Sequence, residues 1–475
     1  MRIFEDKPMN MSQIKFGTDG WRAIIAKDYT VANVERVSEG TAKWMLLRGM
    51  KQAVIGYDCR FGGKMFADTV VGVLGNYGIK TIVSTGFSST PMVSLGVVKT
   101  GSDLGIVITA SHNPPSYNGF KLKSSFGGPS VPSDIEEVEA MIPQTALSSF
   151  PSVEDLTEQG LIEIVDLEQM YIDHIYQGFD IDLIQKSGIQ LAFDAMYGAG
   201  QNVIRRLFPK AALLHCEYNP SFMGQAPEPI GRNLQELSAM VANTPGINLG
   251  LANDGDADRI GLFDDQGQFV DSHHILLLLL YYLFEYKKQT GKVVITFSVT
   301  DKMKKLASLY GLECEVTKIG FKYIAEIMTK QDILVGGEES GGLAVKGHLP
   351  ERDGIWIGLM VMEFMAVTGK SIRQLIAEIY EKVGPFFFDR DDLHLTHEKK
   401  EYVMQKCASG AITAIGGRKV VLTEDLDGYK FYVSDDEFIM VRASGTEPLL
   451  RVYCQAPDAL AVRTLLDAAK QTLLS

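Results

Sequence analysis

Short β-branched runs alternate along the chain with longer stretches whose apolar residues recur every three to four positions. Residues 54–57 form one such run, followed by a helical pattern at 67–77. Runs at 104–108, 190–193, 247–251, 293–296 and 333–335 predict further strands. Between them, 234–241, 275–286 and 301–310 predict amphipathic or wholly apolar helices. Such alternation predicts parallel sheets with helices on both faces, and continuous apolar runs fit strands buried on both sides. The pattern restarts more than once. Turn-rich segments at 143–160, 264–267 and 382–385 place soft boundaries near residues 162, 265 and 384. The fold expected is α/β: three doubly wound mixed α/β domains in series, over 1–162, 163–265 and 266–384. The last stretch, 385–475, reads differently, with alternating strands at 428–433, 437–442 and 450–454 and a closing amphipathic helix at 458–474. That is an α+β unit with an antiparallel sheet.

Composition narrows the function classes. With 475 residues, 46% hydrophobic and 22% charged, the chain reads as a soluble globular protein of several domains. A net charge of −13 argues against nucleic acid or an anionic membrane as partner. A small anionic substrate would need locally basic loops. The longest apolar run, 275–284, is about half of the ~20 residues of a membrane span and predicts a buried helix. The opening residues show no secretion signal, and the five cysteines are odd in number and scattered. Neither a disulfide framework nor a zinc site is suggested, and a cytoplasmic location is expected.

Four polar loops follow predicted strands, where open α/β sheets bind ligands. The first is Thr109-Ala110-Ser111-His112-Asn113-Pro114, stiffened by Pro114 and Pro115; it continues through Tyr117-Asn118-Gly119-Phe120-Lys121, which puts Lys121 ten residues past the hydroxyl. The second is Asp254-Gly255-Asp256-Ala257-Asp258-Arg259. Three carboxylates within five residues repel one another unless a cation sits between them, and oxygen ligands select a hard ion such as Mg²⁺, Mn²⁺ or Ca²⁺. An EF-hand fails, because Arg259 stands where that loop needs glycine and Asp265 where it needs Glu. A solvated acidic turn is the plainer alternative. The third loop is Gly337-Glu338-Glu339-Ser340-Gly341, whose acids and hydroxyl suit the hydroxyls of a sugar. The fourth is Arg442-Ala443-Ser444-Gly445-Thr446-Glu447-Pro448, with Arg451 beyond, a nest suited to phosphate.

Together these loops resemble the α-D-phosphohexomutase family, the phosphoglucomutases and phosphomannomutases, and Phe16-Gly17-Thr18-Asp19-Gly20-Trp21-Arg22 matches the family's opening segment. The resemblance runs from residue 16 to residue 451. It implies four domains around a central cleft, each giving one loop, and reversible movement of a phosphoryl group between C1 and C6 of a hexose through a hexose 1,6-bisphosphate. By position, Ser111 resembles the phosphoserine. Asp254, Asp256 and Asp258 resemble the Mg²⁺ ligands, joined by the phosphoserine. Glu338 and Ser340 resemble the residues that grip sugar hydroxyls. Arg442, Ser444, Gly445 and Thr446, with Arg451, resemble the clamp on the phosphate not being transferred. His112, Lys121, Arg22 and Arg259 match residues of the reacting end.

A charge count adds to this. Phosphoserine at about −2, three aspartates and one Mg²⁺ leave the cluster at roughly −3. Cations must converge on it, and Arg22, Lys121, Arg259 and Lys322 are the candidates. The expected base is Lys121, its pKa depressed if it lies near arginines, with His112 second. Closure of the last domain, with a hinge at 382–385, is expected to exclude water. Glu338-Glu339-Ser340 leans towards glucose, a phosphoglucomutase, with mannose second and glucosamine third. Gly342 stands where some members have His, and His348 could supply that imidazole or be an ordinary satisfied loop histidine. The rivals are a metal-dependent phosphatase and a non-catalytic sugar-phosphate sensor. Monomer and homodimer are both open.

Overall fold

The computed structural model describes residues 14–17, 19–147, 149–443 and 449–475. They divide into two compact units. One comprises the described part of Met1–Asp271 with Ala325–Lys330 and Gly341–Ile372; the other comprises Ser272–Ile324, Gln331–Ser340 and the described part of Arg373–Ser475.

In the first unit, the N-terminal sheet runs in the spatial order Trp21–Ile24, Tyr117–Ser124, Leu104–Ile108, Gln52–Tyr57, Lys80–Ser84 and Ile162–Val165. The last four are parallel, and the first two are antiparallel to their neighbours. Leu104–Ile108 is buried at every position, as its unbroken apolar run requires. The sheet continues past the boundary drawn at 162. Helices start and stop where the sequence caps them. Ser89 accepts a bond from the Met92 N–H to open Thr90–Thr100, and Gly101, at φ 64°, ends it. Trp44, Phe66, Val70, Leu74, Ile106 and Phe120 fill the core on one face, each contributing about 1.5–3 kcal/mol by leaving water.

The Ser111 loop does not continue through Tyr117-Asn118-Gly119-Phe120-Lys121 as the sequence suggests: Tyr117–Ser124 is a strand. Asn-Gly imitates a turn, whereas the actual reason for the glycine is steric. A Cβ at Gly119 would strike the carbonyls of Thr109 and Trp21. The strand alternation puts Lys121 and Lys123 on one face, both fully buried.

The second sheet of this unit has the order Phe269–Val270, Ile260–Phe263, Leu249–Asn253, Leu191–Asp194 and Ala212–Leu214. Leu249–Asn253 and Ile260–Phe263 are antiparallel, so residues 254–259 form the turn between them. Gly354–Thr368, an almost wholly apolar and buried helix capped by Asp353, packs on the same strands.

In the second unit, Cys314–Thr317, Lys292–Thr296 and Ile333–Gly337 are parallel neighbours. The apolar run at 275–284 lies in Ser272–Tyr281 and a π turn, Tyr282–Tyr286, with residues 275–280 buried. The C-terminal sheet is antiparallel, ordered Phe387–His394, Leu449–Ala456, Glu437–Ala443, Tyr429–Ser434 and Leu422–Glu424. Helix Ala459–Leu474 buries Val462, Leu465, Leu466, Ala469 and Leu473 against it. Among the described residues, no single helix is long and apolar enough to cross a membrane.

Candidate active site

Ser111 stands just beyond Leu104–Ile108 with φ 52°, a left-handed conformation that is uncommon outside glycine. Its Oγ donates to Asp254 Oδ2 at 2.7 Å and lies 3.4 Å from His112 Nδ1. The two motifs, 143 positions apart, therefore meet. Gly255 allows this approach, since a Cβ there would lie 2.5 Å from the Ser111 carbonyl oxygen.

Asp254, Asp256 and Asp258 are all 0% exposed, with ligand oxygens within 4.8 Å of one another. Asp254 Oδ1 accepts from the Arg259 N–H at 3.0 Å. Asp256 Oδ2 accepts from Thr90 Oγ1 at 2.5 Å and from Lys121 Nζ at 2.7 Å. Asp258 Oδ2 accepts from Lys121 Nζ at 3.0 Å and lies 2.6 Å from Arg352 Nη2. The other oxygens, Asp256 Oδ1 and Asp258 Oδ1, are buried with no hydrogen-bond partner among the described residues. Buried carboxylate oxygens without donors are costly, and an all-oxygen set of this kind fits a hard divalent ion. Burial, together with Asp256 and Asp258, pushes the Asp254 carboxyl well above the usual carboxylate range.

The cations are arranged differently from the expectation. Burial disfavours the Lys121 charge, but Asp19, Asp256 and Asp258 around it more than offset that and raise its pKa. Arg352 pushes it down as expected but is outweighed, because carboxylates are its contacts: Asp19 Oδ2 lies 2.8 Å away, with the two aspartates above. Asp19 also meets Arg352, and Arg22 Nη2 and Lys123 Nζ lie 3.8 Å from it. Burial opposes the Asp19 charge, yet Lys121, Arg352, Lys123 and Arg22 hold its carboxyl well below the ordinary range. Burial pushes His112 the other way, well below the usual histidine range, reinforced by Arg259, Arg22, Lys121 and Arg352. Arg22 donates to Asn113 Oδ1 at 2.7 Å, and the Arg259 guanidinium lies 4.0 Å from Glu228. Both act on the aspartates through their field rather than by side-chain contact.

Sequence reasoning missed Asp19, Thr90 and Arg352, and also Asp58 and Arg60, which lie beneath the Ser111 loop. Asp58-Cys59-Arg60 ends the strand Gln52–Tyr57, so the strand-end logic that found the four loops could have found it.

The residues expected from the sequence to take sugar and phosphate lie in the second unit. Glu338 is buried and Ser340 partly exposed, just past Ile333–Gly337. Glu339 accepts from Ser298 Oγ at 3.0 Å and lies 3.5 Å from Arg390. The Lys322 ammonium sits 5.4 Å over the Tyr323 ring. Arg442 and Arg451 are directly opposite on adjacent antiparallel strands, beside Asp427 at 3.2 Å and Asp392 at 3.8 Å respectively. Ser444, Gly445 and Thr446 lie outside the described residues. His348 is a satisfied core histidine. It bonds Asp353 at 2.9 Å and stacks on Trp356 with centroids 3.9 Å apart.

Four family models match the chain. They are phosphoglucomutase/phosphomannomutase alpha/beta/alpha domain I over residues 13–148, domain II over 169–267, domain III over 271–383, and the C-terminal domain over 403–471. The chain belongs to the phosphoglucomutase/phosphomannomutase family. It is therefore a phosphohexomutase by class. A Thermococcus kodakarensis member named phosphoglucomutase/phosphomannomutase is 27% identical, covering 95% of this chain and 96% of that one. A phosphoglucosamine mutase of Methanococcus vannielii is 29% identical over 95% and 97%. A solved structure from Thermus thermophilus, provisionally named phosphomannomutase, aligns at 31% identity with a TM-score of 0.86, covering 98% and 100%.

Proposed function

We propose that this phosphohexomutase carries its transferable phosphoryl group on Ser111 and moves it between O1 and O6 of a hexose. The observation that carries the reading is Ser111 Oγ, 2.7 Å from Asp254, beside two buried carboxylate oxygens without donors. Asp254, Asp256 and Asp258, with an oxygen of phosphorylated Ser111, would hold Mg²⁺, which when bound offsets the charge of the transferring phosphoryl group.

The serine Oγ–P bond breaks as the substrate hydroxyl forms its own bond to phosphorus, giving the 1,6-bisphosphate. His112 takes the hydroxyl proton, because burial and four nearby cations leave its imidazole neutral. Lys121 stays charged and holds Asp256 and Asp258 in place. The intermediate reorients, Ser111 Oγ bonds to the other phosphorus as that sugar O–P bond breaks, and His112 returns its proton to the sugar oxygen released. Glu338 and Ser340 take sugar hydroxyls. Arg442 and Arg451 take the idle phosphate, whose charge relieves the repulsion of two cations placed directly across a sheet.

The glucose preference expected from Glu338-Glu339-Ser340 gains no particular support, since relatives carry the names of glucosamine as well as glucose and mannose enzymes. Glu338 and Ser340 would touch hydroxyls these sugars share. Side-by-side kinetics on glucose, mannose and glucosamine 1-phosphates assign the sugar.

The test of the mechanism is labelling with a hexose 1,6-bisphosphate carrying isotopic phosphate. The expected result is one label per chain, mapped by mass spectrometry to Ser111, with isomer formed in large excess over free phosphate. Label elsewhere, or phosphate as the main product, overturns the reading in favour of another carrier or a phosphatase.

A further inference from the structure

Arg60 is completely buried, and the proposed reaction makes no use of it. Its guanidinium donates to four carbonyls of one loop. Nη2 reaches the oxygens of Ser111 and Asn113, both at 2.6 Å. Nη1 reaches those of Pro114 at 2.8 Å and Tyr117 at 3.0 Å. Nε lies 3.2 Å from Asp58 Oδ2, and Asp58 Oδ1 accepts from the Arg60 N–H at 2.9 Å. Asp58 Oδ2 also accepts from Thr109 Oγ1 at 2.5 Å, and that hydroxyl in turn accepts from the Ser111 N–H at 2.9 Å. The N–H and the C=O of Ser111 thus end on one unit. The Phe222 ring, 5.1 Å from the guanidinium carbon, covers it.

This arrangement suits a particular task. Ser111 has φ 52°, a conformation that a residue with a side chain holds only when its surroundings over-determine it. A planar fork with five N–H donors spans four converging carbonyls. A lysine ammonium has three donors and no fixed plane. We propose that Arg60, with Asp58 and Thr109, is a positioning unit that holds the Ser111 backbone left-handed and so sets Oγ against the aspartate cluster. The proposal rests on the reading of Ser111 as the phosphoryl carrier.

Two variants test it. Arg60→Lys keeps the charge and loses the fork. Thr109→Val keeps the shape and the Asp58–Arg60 pair but removes the hydroxyl link, and Thr109→Ser restores it. Expected for Arg60→Lys is a fall in kcat of about 100-fold, the scale of a displacement near 1 Å. Thr109→Val should lose about 10-fold, and KM should stay within about twofold for both. The rate at which Ser111 takes label from the bisphosphate should fall in proportion, with Thr109→Ser close to wild type. Amide hydrogen exchange at residues 111–113 should speed up in Thr109→Val but not in Thr109→Ser. A merely structural ion pair would lower the melting temperature without this split of kcat from KM. Unchanged labelling and unchanged exchange in Thr109→Val overturn the proposal, and that variant carries the test if Arg60→Lys does not fold. If the wild type takes no label, the carrier reading fails; the exchange measurement still decides whether this unit holds the loop.

Discussion

Two regions of this protein handle charge in contrasting ways. Around Ser111, the three aspartates and Lys121 are all 0% exposed, and their geometry is fixed by bonds from Thr90, Arg259 and Arg352. At the C-terminal sheet, the Arg442 and Arg451 side chains are 24% and 32% exposed and, among the described residues, sit beside Asp427 and Asp392 respectively. The first region is dry and preorganised, which suits bond breaking at the same atom in every cycle. The second is wetter and simpler, which suits a grip that must accept either phosphate of a bisphosphate.

Four experiments press on that contrast. The largest effect belongs to Ser111→Ala. Turnover should fall at least about 10³-fold while the thermal unfolding midpoint stays near that of the wild type. Activity above a few per cent in a clean preparation would remove Ser111 from the mechanism. Next, Arg352→Met strips a buried partner from Asp19 and Asp258. Removing one side of a buried charge network costs about 3–5 kcal/mol, to be read from the urea midpoint; a loss below about 1 kcal/mol would mean the network is no tighter than a surface pair. Third, Arg442→Ala should raise KM about 10-fold or more through one lost charge-assisted bond, with stability within about 0.5 kcal/mol. An unchanged KM there would show that the half-open region does not bind phosphate.

The smallest effect is on the acid limb of stability. The Asp19 carboxyl is held well below its ordinary value. Its contribution is therefore fully present above the unfolded carboxylate pKa of about 4 and is lost as pH falls through the folded value. Asp19→Asn should flatten the dependence of unfolding free energy on pH below about 4. An identical slope would place the acid sensitivity elsewhere.

What the sequence disclosed follows from locality. Ser111, the aspartate triplet and the paired arginines each lie in a short run whose spacing carries the chemistry. The strand-helix alternation was readable for the same reason, down to Leu104–Ile108. The partners were not readable. Thr90 bonds Asp256 across 166 positions and Arg352 meets Asp19 across 333, and no local pattern encodes such pairs. Lys121 was misjudged twice. Asn118-Gly119 imitates a turn within a strand, and the sign of its pKa shift depends on Asp19, which approaches from another strand's entry.

The backbone angle at Ser111 also bears on which alcohol can carry phosphate here. Threonine has an equivalent hydroxyl, but its second Cβ substituent crowds its own main chain at positive φ. With Ser111 as the proposed carrier, the fold selects a primary over a secondary alcohol before any sugar arrives, through torsional geometry alone.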